Sequence, residues 1–230
     1  MPQLPGHPPV EITLRRSARS RRFSLRVSQL DGRVTLSLPL RAREGEAMEF
    51  ARTQEAWLRA ALARRPVQAL VGTGDRVPVE GRLLTLTTAT GRSVRVEADC
   101  LLVPGDPAQA AARVQAFLKV LARDRLVAAS DNYSKLLGKT VSRVTLRDTR
   151  SRWGSCAHDG ALMYAWRLIM APPEVLRYVA AHEVAHLVQM NHSAAFWAVV
   201  ARIYPGWQGQ RQWLRSHGAG LHGYRFTAGD

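Results

Sequence analysis

Residues 172–192 read Pro-Pro-Glu-Val-Leu-Arg-Tyr-Val-Ala-Ala-His-Glu-Val-Ala-His-Leu-Val-Gln-Met-Asn-His. The two prolines and Glu174 suit a helix start, where Pro loses no needed N–H and a carboxylate meets the positive end of the dipole. Val175, Val179, His182 and His186 then fall on one stripe of a helix that is apolar almost all round. Two imidazoles buried there without partners would be costly. The spacing His182-Glu183-x-x-His186 removes that cost, because i and i+4 place both rings side by side, able to share one Zn²⁺. It also projects Glu183 toward a water that the ion would acidify, so Glu183 is the expected general base and acid.

A catalytic zinc takes three protein ligands and keeps one position open. Beyond His186 the only acidic residue is Asp230, which leaves His192, His217 and His222 as third ligands. His192 lies six residues past His186, the spacing of H-E-x-x-H-x-x-G-x-x-H proteases. Gln189 stands where those proteases turn at Gly, so Met190-Asn191 is expected to end the helix, Asn being tolerant of the left-handed conformation. The expected metal set is therefore His182, His186 and His192. Cys156 reads either as a small structural cysteine or as a fourth thiolate that would close the site. Tyr164, Tyr204, Tyr224, His217 and Arg152 are all candidate donors to a tetrahedral oxyanion.

Outward from this helix, residues 162–169 read as an apolar strand and 141–146 as another. Residues 108–137 read as a long helix carrying Val114, Phe117, Leu118, Leu121 and Leu126. Glycines 72, 74, 81 and 91 punctuate short strands at 76–79, 82–87 and 93–97. Pro104-Gly-Asp-Pro107 marks the expected boundary between a β-rich region, 1–104, and a metallopeptidase-like part, 105–230. At the front, Phe23, Leu25 and Val27 alternate with Arg22, Ser24 and Arg26. Asp31-Gly32 signals a hairpin into Val34, Leu36 and Leu38. With a strand at 11–15 these give an expected antiparallel three-stranded meander with an Arg-studded face. A helix follows over 46–65, with Phe50, Trp57, Leu58 and Leu62 apolar and Pro66 beyond it. The fold class is α+β.

The chain has 230 residues, 46% of them hydrophobic, long enough to bury a core without staples. Two cysteines, Cys100 and Cys156, exclude a disulfide framework. No apolar run approaches a membrane span, and the front lacks a basic-then-apolar leader pattern, so the expected compartment is the cytoplasm. The net charge of +15 comes from 33 Lys+Arg against 18 Asp+Glu. Much of the excess sits in Arg15, Arg16, Arg19, Arg21, Arg22 and Arg26, opposed locally by Glu11 alone. A field of that sign attracts polyanions, making Arg19, Arg21 and Arg22 candidate nucleic-acid contacts.

Several motifs together resemble the YgjP-like zinc metallopeptidases and, more distantly, the SprT-type and WLM-type zincin proteases. They are Arg150-x-Arg-Trp-Gly-Ser-Cys156, Trp166-Arg-Leu-Ile-Met-Ala-Pro172, Tyr178-Val-x-x-His-Glu-x-x-His-Leu187, Asn191-His-Ser-x-x-Phe-Trp197 and Trp213-Leu-x-x-x-Gly218. The resemblance extends over nearly the whole chain. It implies a zincin-like fold, Zn²⁺ held by His182, His186 and His192, a catalytic Glu183 and a protein or peptide substrate. One position departs from the pattern: Ala165 stands where Asn is expected before Trp166-Arg-Leu. In zincin-like folds the strand nearest the metal helix is an edge that pairs with substrate. Leu162, Met163, Tyr164 and Ala165 are the expected edge residues. Two other readings stay open: a nucleic-acid-binding protein with a structural zinc, and a protease acting on nucleic-acid-bound proteins.

Overall fold

The computed structural model describes residues 2–28, 32–63 and 69–227. Two compact units are present, Met1–Val67 and Gln68–Asp230. The first contains strands β1 (Gln3–Leu4), β2 (Val10–Arg16), β3 (Ser24–Val27) and β4 (Val34–Leu38), ordered β1-β2-β4-β3. Its core is the period-two face: Val10, Ile12, Val34, Leu36 and Leu38 are buried together with Leu4. The expected meander does not form. β4 pairs parallel with β2 and antiparallel with β3, so the sheet is mixed. β4 lies between β2 and β3 with Val34, Leu36 and Leu38 buried, and the less buried β3 is an edge. Gly32 (φ +71°) supports the β3–β4 turn, and Asp31 lies outside the described residues.

The expected helix over 46–65 is two helices, α1 (Glu44–Thr53) and α2 (Glu55–Ala63). Thr53 Oγ1 donates to the Phe50 carbonyl at 2.8 Å, a local bond that competes with the helical ladder where the break occurs. Leu58 is buried against the sheet core, whereas Trp57 is exposed. Residues 64–66, the expected end of that helix, lie outside the described residues.

The second unit begins with β5 (Ala69–Leu70), β6 (Arg76–Val79), β7 (Arg82–Ala89), β8 (Arg95–Glu97) and β9 (Cys100–Pro104). The last four form a sheet ordered β6-β7-β9-β8. The Pro104–Pro107 stretch falls inside this unit. Asp106 accepts from Ala108 N at 2.9 Å and caps a 3-10 turn leading into α3 (Ala110–Leu136). The α3 stripe Val114, Leu118, Ala122 and Leu126 joins one core with Leu84, Leu86 and Leu101 from the sheet.

β10 (Arg143–Arg147), β11 (Gly154–Cys156) and β12 (Ala161–Ala165) form a second sheet ordered β10-β12-β11. Here the structure corrects the expected substrate edge. Leu162, Met163, Tyr164 and Ala165 lie in the central strand, bonded on both sides, and the edges are β10 and β11. The apolar run continues to 169 because a buried 3-10 turn, Trp166–Met170, follows β12. Then come α4 (Pro173–Ala185), α5 (Ala194–Ile203), α6 (Trp207–His217), a 3-10 turn at Gly218–His222 and β13 (Tyr224–Arg225), which pairs with β5. α4 is buried almost all round, which its apolar sequence requires. Among the described residues no helix is long and apolar enough to cross a membrane.

Candidate metal centre

α4 delivers His182, Glu183 and, at its C-terminal cap, His186. The chain leaves the helix earlier than expected. Leu187 N and Val188 N bond the carbonyls three residues back, tightening the last turn. Asn191 does not enter the left-handed region; instead its side chain accepts from Ser193 N at 3.2 Å. Ser193 then caps α5 by accepting from Phe196 N. This short loop returns His192 to the helix, with His182 Nε2 and His192 Nε2 3.1 Å apart.

The three imidazoles form the group of metal-capable side chains found among the described residues, their ligand atoms all within 4.8 Å of one another. Tetrahedral Zn–N bonds of 2.0–2.1 Å need N···N separations of about 3.4 Å; the His182–His192 pair at 3.1 Å is near that spacing, and the widest pair has only to draw in from 4.8 Å to share a zinc-sized ion. Phe196, fully buried, packs against all three rings at centroid distances of 4.5 to 4.9 Å. His186 Nδ1 lies 3.0 Å from the Gln189 carbonyl, which places the proton on Nδ1 and leaves Nε2 free as a ligand. Burial drives the His182 pKa down to about 3, with His186, His192 and Arg211 adding to the effect. Burial also lowers His186. Both rings are therefore neutral at pH 7, the form a metal requires.

Glu183 is 6% exposed, and burial raises its carboxyl to about 8, against the opposing pull of Arg152. A divalent cation beside it would favour the carboxylate and bring that value down. The cleft holding these groups has a volume of about 250 Å³ and is lined by β11, His182, Glu183, His186, Met190 and His192. A larger cleft of about 750 Å³, lined by Glu80, Arg125 and Arg177, includes none of the three imidazoles. Chemistry rather than volume therefore marks the site.

Cys156 lines the metal cleft, but its sulfur is not among the converging atoms. It donates to the Ala157 carbonyl at 3.4 Å, and burial together with the neighbouring Glu183 pushes the thiol up to about 11. Of the candidate oxyanion donors, Tyr164 is fully buried and bonded to Ser130, and Tyr204 donates to the Glu174 carbonyl. His217 stacks on Trp213, and Tyr224 lies in β13. Arg152 is the one whose charge is felt at Glu183. Ala165 is fully buried, its N–H bonded to the Trp153 carbonyl at 2.8 Å. Arg19, Arg21 and Arg22 are exposed in the first unit.

Sequence reasoning passed over Gly154. A Cβ built there would lie 2.6 Å from both Glu183 Cγ and Oε1. The signal available was the glycine itself, set in Trp-Gly-Ser beside a predicted metal helix.

Among curated proteins, none matches this chain. Among solved structures, the metallopeptidase zymogen of Pyrococcus abyssi abylysin is similar at 23% identity, with a TM-score of 0.34 over 42% of this chain and 92% of that one. The family model described as YgjP-like, metallopeptidase domain, matches residues 21–217. With most of its length matched, the chain belongs to the YgjP-like metallopeptidases.

Proposed function

We propose that this metallopeptidase is zinc-dependent, with His182, His186 and His192 as ligands and Glu183 as the residue that moves the protons of hydrolysis. The observation that carries the reading is the convergence of three imidazoles beside a buried carboxyl in one small cleft. Three nitrogen donors suit Zn²⁺ better than the hard cations, which prefer oxygen. Bound there, the ion supplies Lewis acidity, acidifying water and polarising the scissile carbonyl.

The protein's own groups supply the rest. Gln189 and Phe196 hold the imidazoles in place. Glu183 takes a proton from the attacking water and returns it to the departing amine, a task suited to a carboxyl whose affinity for the proton is raised by burial. The edge strand β11 offers substrate a place to bind. Its ladder bonds to β12 fall on odd-numbered residues, with Ala165 N donating to Trp153 O and Ala157 N to Ala161 O. Antiparallel alternation then turns the N–H and C=O groups of Gly154 and Cys156 outward, where an extended peptide can pair. Arg152 is the protein group we assign to negative charge developing near Glu183.

The test is Glu183→Gln together with metal analysis. We expect the purified protein to carry one zinc per chain, and a chelator to abolish casein cleavage until zinc is restored. The variant should keep its zinc and its unfolding midpoint while cleavage falls by roughly 10²- to 10⁴-fold. An active Glu183→Gln protein would overturn the assignment.

The exposed arginines favour an addition to this reading. Arg15, Arg19, Arg21, Arg22 and Arg26 are exposed, and among the described residues no acidic side chain pairs with any of them. We assign them to contact with nucleic acid, which would bring the enzyme to protein substrates bound there.

A further inference from the structure

We propose that Gly154 is a positioning residue for Glu183: the absent side chain at 154 is the space in which the Glu183 carboxyl is held against the edge strand. The inference rests on the reading of Glu183 given above and deepens it.

The requirement for glycine here is steric. Gly160, a few residues on, has φ +79°, whereas Gly154 lies outside the left-handed region, so its backbone suits any L-residue. An added Cβ would instead lie 2.6 Å from Cγ, 2.6 Å from Oε1 and 2.8 Å from Cδ of Glu183. Cγ is fixed by χ1, and a helix leaves long side chains essentially two χ1 wells. Glu183 therefore cannot yield by a small shift of its tip. It must change rotamer and carry the carboxyl away from β11.

Nor can β11 easily retreat. The residue before Gly154, Trp153, is bound through its carbonyl to Ala165 N at 2.8 Å. Its indole stacks on the buried His222 ring at 5.2 Å. Behind it is Gly218, where an added Cβ would lie 2.9 Å from Trp153 Cζ2. That C-terminal strap is anchored by Arg167, which donates to the carbonyls of Leu221 and Tyr224 and is itself paired with Asp148. Two close glycine contacts thus run in series, Gly218 on Trp153 and Gly154 on Glu183. The imidazoles are set independently by Gln189 and Phe196, so a side chain at 154 should displace the proton carrier and leave the ligands in place.

The test is Gly154→Ala in the full-length protein, read in two ways. Zinc stoichiometry and affinity should match the parent, while kcat falls at least about 100-fold and KM stays within about threefold. Separately, the urea midpoint should drop on Gly154→Ala when residue 183 is Glu, and should drop far less in a Glu183→Ala background, where Cγ is gone. Should Gly154→Ala fail to fold, recovery of folding in Gly154→Ala/Glu183→Ala carries the same information. Parental kcat in Gly154→Ala, or an equal stability loss in both backgrounds, would overturn the proposal. The stability cycle reads packing alone. An active Glu183→Gln protein would remove the proton-transfer role without touching it, so the two failures are distinguishable.

Discussion

His222 is a histidine of the second unit that stands outside the metal set, and its surroundings make it a stability element. Its ring is 7% exposed and stacked on Trp153, with Nδ1 buried and unpartnered among the described residues. Burial lowers its pKa to about 4, helped by Arg167 and Arg150 and opposed by Asp148. In the unfolded chain the ring titrates near the ordinary 6.5. Between those values the unfolded state binds the proton and the folded state does not. The stability tied to this ring is thus fully present above about pH 6.5 and is lost as pH falls through 4, on the order of 3 kcal/mol in all. Replacing it, as in His222→Leu, should flatten the slope of unfolding free energy against pH in that window by up to about one proton. Urea unfolding of both proteins at several pH values from 7 to 4.5 measures it, and parallel slopes would refute the role.

At the scale of elements, the 3-10 turn after β12 holds the C-terminal strap through one side chain. Arg167 is 3% exposed, grips Asp148 through two bonds at 2.7 and 3.0 Å, and donates to the Leu221 and Tyr224 carbonyls at 3.2 and 2.8 Å. Its guanidinium also lies 4.8 Å from the Trp166 ring centroid. Removing it leaves the Leu221 and Tyr224 carbonyls without this donor, while Asp148, 35% exposed, falls back on water, so Arg167→Leu should cost roughly 2–4 kcal/mol by urea unfolding. Arg167→Lys should recover little, since an ammonium lacks the planar fork that meets these acceptors together. Near-complete rescue by Lys would show that charge alone matters there. The same elements show what the sequence could and could not reveal. α4 and its His182–His186 spacing were legible because helix period and ligand geometry are both local. The return of His192 was legible from spacing alone. The edge strand was not: β12 is apolar because it is central, and a run of apolar residues carries no record of which side lies open. β11, the edge strand that lines the cleft, is three residues long and too short to show any alternation. The β2–β4 parallel pairing was hidden for a related reason, since alternation reports which face is buried and not which neighbour is bonded.

At the scale of the whole molecule, the densest positive charge and the chemistry lie in different units. Residues 1–67 contain 13 arginines and 6 acidic residues, and they bury a core of their own. The three imidazoles and Glu183 belong to residues 68–230, whose core is a separate cluster. If the first unit serves to bring the enzyme to nucleic acid, the two properties should separate. A protein of residues 68–230 should fold and bind one zinc, yet lose most of its affinity for duplex DNA. In the full chain, neutralising Arg19, Arg21 and Arg22 together should weaken DNA binding at low salt. It should also reduce the slope of log K against log salt by about 2 to 3, since each phosphate contact contributes about 0.9. Fluorescence anisotropy with a labelled duplex across a salt series reads that slope directly. Cleavage of a free peptide should be unaffected by the same substitutions, because the described residues lining the cleft belong to Gln68–Asp230. A DNA affinity insensitive to salt, or a slope unchanged by the triple substitution, would discard the nucleic-acid role and leave the arginines as solvated surface. The metallopeptidase site would stand in either case, since the described residues that line its cleft belong to Gln68–Asp230.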